Sequence, residues 1–479
     1  MIGVFQILSL AMAVLACALL VPAAIALAAG GGNAENYLVV AVLVGFVAVA
    51  TLLALQGRSR RLSRVGWFVL VVAAWAILPL IAAVPITLST NVDYLTAVFE
   101  AASGLTTTGA TVFATLAEVD PATVFWRAEL QWLGGLATLI TFAIILAPAG
   151  LGGLSNRGLT MISGFGEAGP GRVGHAVREI GVVYSVATAG CVVLLIVGGV
   201  PAFDAVCLAL STVSTGGFVP ADGGIAAYRN PFAEFVVASF MLVGATSIVW
   251  QRMVMERRRT ILAEHRETYW VVGVALAVGF AYAAVFAGGE GILAALGEGL
   301  FTGIALVSTT GYETRPAAMG ALPHPFVVFV ALGGGAALST AGGIKYQRIV
   351  AMLAQSWHEL KRLIFPHSVR GSRFAGQPYD LAVMKAIWAN LALSLAVIMA
   401  AALLLSLSLP DVDAALVAAI AAFANIGPLY SPDWAGSGDW PSFAAFDQSA
   451  KLVAVVTMIL GRIEVVVLFA AINIAYWRS

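Results

Sequence analysis

Four short stretches of the 479-residue chain end in small hydroxyl or amide side chains and a glycine. They are Leu105-Thr106-Thr107-Thr108-Gly109-Ala110, Val213-Ser214-Thr215-Gly216-Gly217-Phe218, Ser308-Thr309-Thr310-Gly311-Tyr312 and Ala424-Asn425-Ile426-Gly427-Pro428. Aligned on Gly109, Gly216, Gly311 and Gly427, they recur 107, 95 and 116 residues apart. A loop that enters a membrane on a short helix and returns extended turns its carbonyls inward. Such non-helical backbone survives at membrane depth only where protein or a water-filled cavity satisfies it, and glycine allows angles that a side chain forbids. Four loops of this kind would make a ring of carbonyl oxygens able to replace the hydration shell of a monovalent cation. The expected filter residues are Thr107, Thr108 and Gly109; Ser214, Thr215 and Gly216; Thr309, Thr310 and Gly311; and Asn425, Ile426 and Gly427. The carbonyls of Thr108, Thr215, Thr310 and Ile426 are the expected neighbouring ligands. Asn425 and Ile426 replace the hydroxyl pair of the other copies, so the ring should be asymmetric there. With one shared glycine per copy, few well-formed sites and loose discrimination against sodium are expected. A single Thr-Gly pair could be an ordinary small-residue helix contact; four copies at similar spacing favour pore loops.

Other chemistry is poorly supported. Cys17, Cys191 and Cys207 make neither a disulfide framework nor a metal cluster. The five histidines are scattered, with no pair at zinc-ligand spacing. Gly169-Pro170-Gly171-Arg172-Val173-Gly174 spells a dinucleotide pattern, but no strand precedes it and Pro170 sits inside the turn. Without a Walker A motif, a triad or a metal set, no catalysis is expected, and no cofactor in this chain.

The loops need a scaffold, and composition says which. Hydrophobic residues make up 61% and charged ones 10%, far below the roughly 25% charge of soluble domains. The 25 basic residues balance 25 acidic ones, so nothing points to nucleic acid. Stretches of about 20 apolar residues fall near 4–29, 37–56, 65–86, 124–148, 177–200, 231–251, 268–288, 383–407 and 450–476, with a glycine-interrupted segment at 323–365. The first lacks a basic leader and is read as a retained span rather than a signal peptide. Basic residues gather at Arg58–Arg64, at Arg252–Arg266, and at Lys345, Arg348, Lys361, Arg362, Arg370 and Arg373. The segments 87–123 and 408–450 carry acidic residues only before the helices that follow, among them Asp93, Glu100, Glu118, Asp120, Asp411, Asp413, Asp433, Asp439 and Asp447. By the positive-inside rule the basic loops and both termini face the cytoplasm after ten crossings. The acidic loops face out, where they would concentrate cations. The Arg257-Arg258-Arg259 run reads as topogenic charge before it reads as a lipid site.

The expected fold is an all-α polytopic membrane protein: four pseudo-symmetric span–pore loop–span repeats around a central ion pore, plus two N-terminal spans. The boundaries are 1–64 for the extra spans, 65–176, 177–266, 267–378 and 379–479 for the repeats. Within the third, 333–345 cannot hold a cheap helix, because each of its glycines costs about 1 kcal/mol relative to alanine. Ala336, Ala337, Leu338 and Ala341 are apolar, so this is expected to be a buried movable plug rather than a free loop. Gly335, Ser339, Thr340, Gly342, Gly343 and Lys345 are its gate residues. Arg462 sits inside an apolar span, which is costly unless it faces water or a partner. It is expected near the permeation path, limiting leak, rather than paired with Glu464 two residues on.

At these residues the sequence resembles the Trk/Ktr/HKT superfamily of potassium transporters, most closely the bacterial Trk membrane subunit of the TrkH type. The likeness covers nearly the whole chain. It rests on the four filter motifs, on two spans before the first of them, on Leu338-Ser339-Thr340-Ala341-Gly342-Gly343-Ile344-Lys345 and on Gly461-Arg462-Ile463-Glu464. The resemblance implies potassium uptake across the bacterial cytoplasmic membrane by a homodimer. It also implies control by a cytoplasmic Trk-type regulatory subunit, which would be the component that binds nucleotide. The alternative reading is a secondary transporter of a small organic solute with broken helices. Loops that all enter from the acidic side argue against its usual inverted repeat.

Overall fold

The computed structural model describes residues 1–58, 62–146, 172–256, 266–288, 291–364, 373–374, 377–378, 381–434 and 440–472. Arg60, Arg61, Gly169-Pro170-Gly171, Arg257-Arg258-Arg259, Arg370 and Asp439 lie outside the described residues. The chain is an all-helical, multi-pass membrane protein, with one two-residue ladder between Arg373–Phe374 and Gln377–Pro378. Helices α1 (Ile2–Ala18) and α2 (Leu20–Ala28) form one 27-residue span, because Leu19 between them keeps helical angles. Then follow α3 (Ala34–Ala54), α4 (Arg64–Ser89), α5 (Tyr94–Leu105), α6 (Pro121–Thr141), α7 (Arg172–Val197), α8 (Ala202–Val213), α9 (Pro231–Ala245), α10 (Ile248–Met255) and α11 (Arg266–Phe286). The remainder are α12 (Ile292–Val307), α13 (His324–Gly333), α14 (Tyr346–Ile364), α15 (Leu381–Leu405), α16 (Val412–Phe423), α17 (Gln448–Ile463) and α18 (Val465–Ile472).

The layering is that of a membrane protein around a polar centre. The long helices present large apolar side chains outward, such as Phe46, Val197 and Leu403, each at least 70% exposed, as a surface bathed in lipid requires. The short helices α5, α8, α12 and α16 lie inside, each packed on the span before it. On α5 every residue from Thr96 to Leu105 is buried; a helix covered on all sides belongs in a core. Helix α6 is less apolar than α4, α7, α11 or α15. It carries Arg127, Glu129 and Gln131, passes into a π-helical turn at Phe142–Leu146, and is mostly buried.

Two expected continuous spans are bent instead. The stretch 231–251 turns by 110° between α9 and α10, and 450–476 turns by 91° between α17 and α18. At the first bend Thr246 and Ser247 are extended, and the carbonyls of Gly244 and Ala245 are taken up from outside the helix. At the second, Glu464 adopts φ +61 and its carboxylate accepts from Arg348 Nη2 at 2.6 Å. The first stretch is uncharged around its break, so composition does not mark it, whereas the second carries Arg462 and Glu464 at the bend.

Several acidic residues assigned above to a cation-attracting mouth have local duties. Asp93, Asp411 and Asp447 cap α5, α16 and α17, accepting from the amides of Thr96, Ala414 and Ala450 at 3.1, 2.6 and 2.7 Å. The Thr96 hydroxyl, 2.5 Å from Asp93 Oδ1, holds the Asp93 carboxyl below the ordinary aspartate range. A depressed pKa contributes stability that is present above the ordinary value and lost as pH falls through the depressed one. Asp93→Ala is therefore expected to cost about 1 kcal/mol. Thermal midpoints of the two proteins should differ at neutral pH and converge in acid.

Candidate ion-conducting site

The four short helices end in one backbone pattern. The residue after each helix, Thr106, Ser214, Ser308 or Ala424, keeps right-handed angles. The next, Thr107, Thr215, Thr309 or Asn425, is left-handed, with φ of 55, 54, 59 and 54. The one after donates its amide five residues back: Thr108 to Ser103, Gly216 to Ser211, Thr310 to Ala305 and Ile426 to Ala421. A β-branched residue at positive φ is an outlier and costs of order 1–3 kcal/mol. Three threonines at equivalent positions in one fold make this a repeated, sustained conformation.

This register corrects the sequence alignment by one residue in the second copy. Gly216 stands where the others have Thr108, Thr310 and Ile426, and Gly217 is the partner of Gly109, Gly311 and Gly427. Gly109, Gly217 and Gly311 share φ of 78, 87 and 76. The spacing could not separate two adjacent glycines; the hydrogen bonds do.

The four strands close on one another in a single rotational sense. A β-carbon on Gly109 would run into the Gly216 carbonyl, and one on Gly217 would meet the Thr310 carbonyl. On Gly311 it would press on Pro428, and on Gly427 it would strike the backbone of Gly109 and Ala110. Copy one thus touches two, two touches three, three touches four, and four returns to one.

Hydrogen-bond accounting then separates two levels. Buried carbonyls nearly always have a donor. Those of Thr107, Thr215, Thr309 and Asn425 accept from no donor among the described residues, although all four residues are at most 1% exposed. One step along, three of the four are engaged: Thr108 by the Gly427 amide, Gly216 by Gln131 and Ile426 by the Leu429 amide. Of the predicted ligand carbonyls, Thr215 therefore lies on the donor-free level, Thr310 is donor-free one level along, and Thr108 and Ile426 are occupied.

Side chains given other roles, or none, in the sequence reading brace the ring from behind. Glu100, expected at the mouth, is fully buried and pairs with Arg127 Nε at 2.6 Å. The carboxylate also accepts from the Thr111 hydroxyl and the Val112 amide at 3.0 and 2.9 Å. The guanidinium lies over the Phe218 ring, 4.2 Å from its centroid, linking copy one to copy two. Tyr312 Oη sits 2.7 Å from Ser211 Oγ and 2.8 Å from the Phe218 carbonyl oxygen, linking three to two. Asn425 Nδ2 donates to Thr108 Oγ1 at 3.0 Å, linking four to one. The signal available was polar residues at intended core positions of α5 and α6; without a partner in view, Glu100 read as one more acidic loop charge.

Beneath the ring lies the irregular stretch between α13 and α14, buried or nearly so throughout. Its amides at Ala336 and Thr340 donate to the carbonyls of Ala245 and Gly244 at 2.9 and 3.2 Å, and Leu338 accepts from Ile248 at 2.8 Å. The stretch fills the break between α9 and α10. Thr340 Oγ1 reaches the carbonyls of Gly244 and Val213, and Gly342 donates its amide to Thr309 Oγ1 at 2.7 Å. Ser339 Oγ bonds back to Ala336, and Gly335 accepts from the Tyr346 amide. Gly343 and Lys345 have positive φ. Lys345 is buried, donates to the Ala341 carbonyl and faces the Phe142 ring at 5.3 Å. Arg462 is 4% exposed and donates from Nε to Thr138 Oγ1 at 2.7 Å. Glu464 goes to Arg348 rather than to Arg462, as side chains two apart on a helix face different ways.

The comparisons with known proteins agree on one family. A family model described as TrkH, cation transport protein, matches residues 39–270 and 298–476. The Trk system potassium uptake protein TrkH of Salmonella typhimurium is 28% identical over 422 residues, covering 86% of each chain. Its namesake in Halomonas elongata is 28% identical over 497 residues and covers 99% of each. The crystal structure of the potassium transporter TrkH from Vibrio parahaemolyticus superposes with a TM-score of 0.88 at 24% identity, covering 100% of this chain and 99% of that one.

Proposed function

Because the chain belongs to the TrkH family of cation transport proteins, we propose that it carries potassium into the cell through the ring built by its four short helices. The observation that carries this reading is the level of four equivalent, buried carbonyls without a donor among the described residues, on Thr107, Thr215, Thr309 and Asn425. Such oxygens are expensive to leave unmet, and a dehydrated monovalent cation supplies what they lack. The names of the relatives in Salmonella and Halomonas favour potassium as that cation.

The rest of the reading follows from position. Residues 333–345 act as the gate, since they hydrogen-bond to two of the four filter turns from below, through Thr340 and Gly342, and Gly342 packs against Ala424 of a third. Arg462 and Lys345 raise the electrostatic barrier on the inner side of the ring. The repeats divide at 65–176, 177–266, 267–378 and 379–479 after two extra N-terminal spans. The protein works as a homodimer in the bacterial cytoplasmic membrane, with both termini in the cytoplasm. The basic segments 252–266 and 345–373 meet a cytoplasmic, nucleotide-binding regulatory subunit.

The test is rubidium uptake into proteoliposomes with potassium, sodium and lithium as competitors. Strong suppression by potassium and weak suppression by sodium is the expected result. Deleting 336–343 should raise the flux several-fold by removing the segment below the ring. If neither protein moves rubidium, the reading fails; if the deletion leaves flux unchanged, the gate assignment fails alone.

A further inference from the structure

Gly216 poses a question that backbone freedom does not answer. It is a glycine where the equivalent residues are Thr108, Thr310 and Ile426, yet its φ lies outside the left-handed region. A β-carbon there would sit inside the van der Waals envelope of the Gln131 carboxamide, touching its carbon, oxygen and nitrogen together. The residue is small because Gln131 occupies the space.

Gln131 is completely buried on α6 and makes three bonds to the second filter turn. Nε2 donates to the Gly216 carbonyl at 2.6 Å, while Oε1 accepts from Ser211 Oγ at 2.6 Å and from the Phe218 amide at 3.3 Å. The partners fix the amide's orientation, because the Gly216 oxygen needs a donor and the Phe218 amide an acceptor. One side chain from copy one thus spans the turn of copy two, from the last turn of α8 to the strand beyond the glycine pair. The equivalent carbonyls of Thr108 and Ile426 are held by backbone amides, and that of Thr310 has no donor among the described residues. Among the described residues, only copy two has this level set by a side chain.

We infer that Gln131 is a specificity-determining positioning residue: its carboxamide holds the Gly216 carbonyl, and with it one side of the ring, at a fixed distance from the axis. This rests on the transport reading above and adds to it. Cation discrimination depends on how far the ring oxygens can follow a smaller ion. A strand tethered at both 216 and 218 cannot close around sodium as a free one can. Gln131→Glu keeps the shape and the acceptor role toward Ser211 and Phe218 but, when ionised, cannot donate to Gly216. Gln131→Leu removes all three bonds.

The experiment uses the full chain in proteoliposomes and reads rubidium uptake against potassium and sodium. Wild type comes first: if potassium does not suppress its uptake more than sodium does, the transport reading falls, not this assignment. Given a selective wild type, both variants should lower the potassium-to-sodium competition ratio by about fivefold to tenfold, the worth of one such hydrogen bond. An unchanged ratio in a conducting variant overturns the assignment. Should a variant conduct nothing, the thermal midpoint of the solubilised protein is measured in potassium and in sodium. Loss of the wild-type difference supports the assignment, and its persistence overturns it.

Discussion

Gly217→Ser is expected to reduce the preference for potassium over sodium by at least about tenfold, as Gly109→Ser and Gly311→Ser should. Two costs act at residue 217. An L-residue at φ +87 carries about 1–2 kcal/mol of strain. The new β-carbon would also lie 2.5 Å from the Thr310 carbonyl oxygen, so the neighbouring strand must shift. A shift worth 1.4 kcal/mol between two ions is already tenfold. Gly199 separates strain from position. It has the same φ of +87, but open space surrounds its missing β-carbon. Gly199→Ser should therefore leave ion preference untouched in the same rubidium competition assay. Equal behaviour of the two variants would remove Gly217 from the ring.

The second large effect is on stability. Glu100→Gln leaves Arg127, 2% exposed and with Nη1 lacking a hydrogen-bond partner among the described residues, without its counter-charge. Breaking a buried pair from one side costs about 3–5 kcal/mol. The solubilised variant should unfold at a clearly lower temperature than wild type. Replacing both partners, Glu100→Leu with Arg127→Met, removes the isolated charge and should restore much of the loss. It cannot restore all of it, because the Val112 amide loses its acceptor, which costs about 1–3 kcal/mol. A Glu100→Gln protein as stable as wild type would show that water reaches the pair.

What the sequence disclosed and what it hid follow physical lines. The spans and the four glycine-ended segments were legible because bilayer thickness and backbone chemistry impose length and residue type directly. The left-handed threonines were not, since β-branched residues argue against that conformation and only the surrounding fold imposes it. Gly216 and Gly217 could not be told apart by spacing, for either fits a tight turn. The bends after Ala245 and at Glu464 carry no proline to announce them, although Arg462 and Glu464 bring opposite charges to the second. They exist because residues 334–345, remote in sequence from both, supply the missing hydrogen bonds at the first and Arg348 supplies the counter-charge at the second. Nothing in the sequence separates Gln131 from its polar neighbours Arg127 and Glu129; its three partners come from the fold.

The one-way contact order of the ring also bears on how four related segments drift apart during evolution. Each glycine's missing β-carbon falls closest to the strand that follows it, so a substitution in one copy meets its first constraint in the next copy. Compensation must therefore travel round the ring in the same direction. Gly427 and Ala110 are sequence-distant yet adjoining, and they should be inherited as a pair, just as Gly216 and Gln131 should. A lineage that lost the carboxamide would be freed to place a larger residue at 216. The four turns share one backbone pattern, but each must fit a different neighbour.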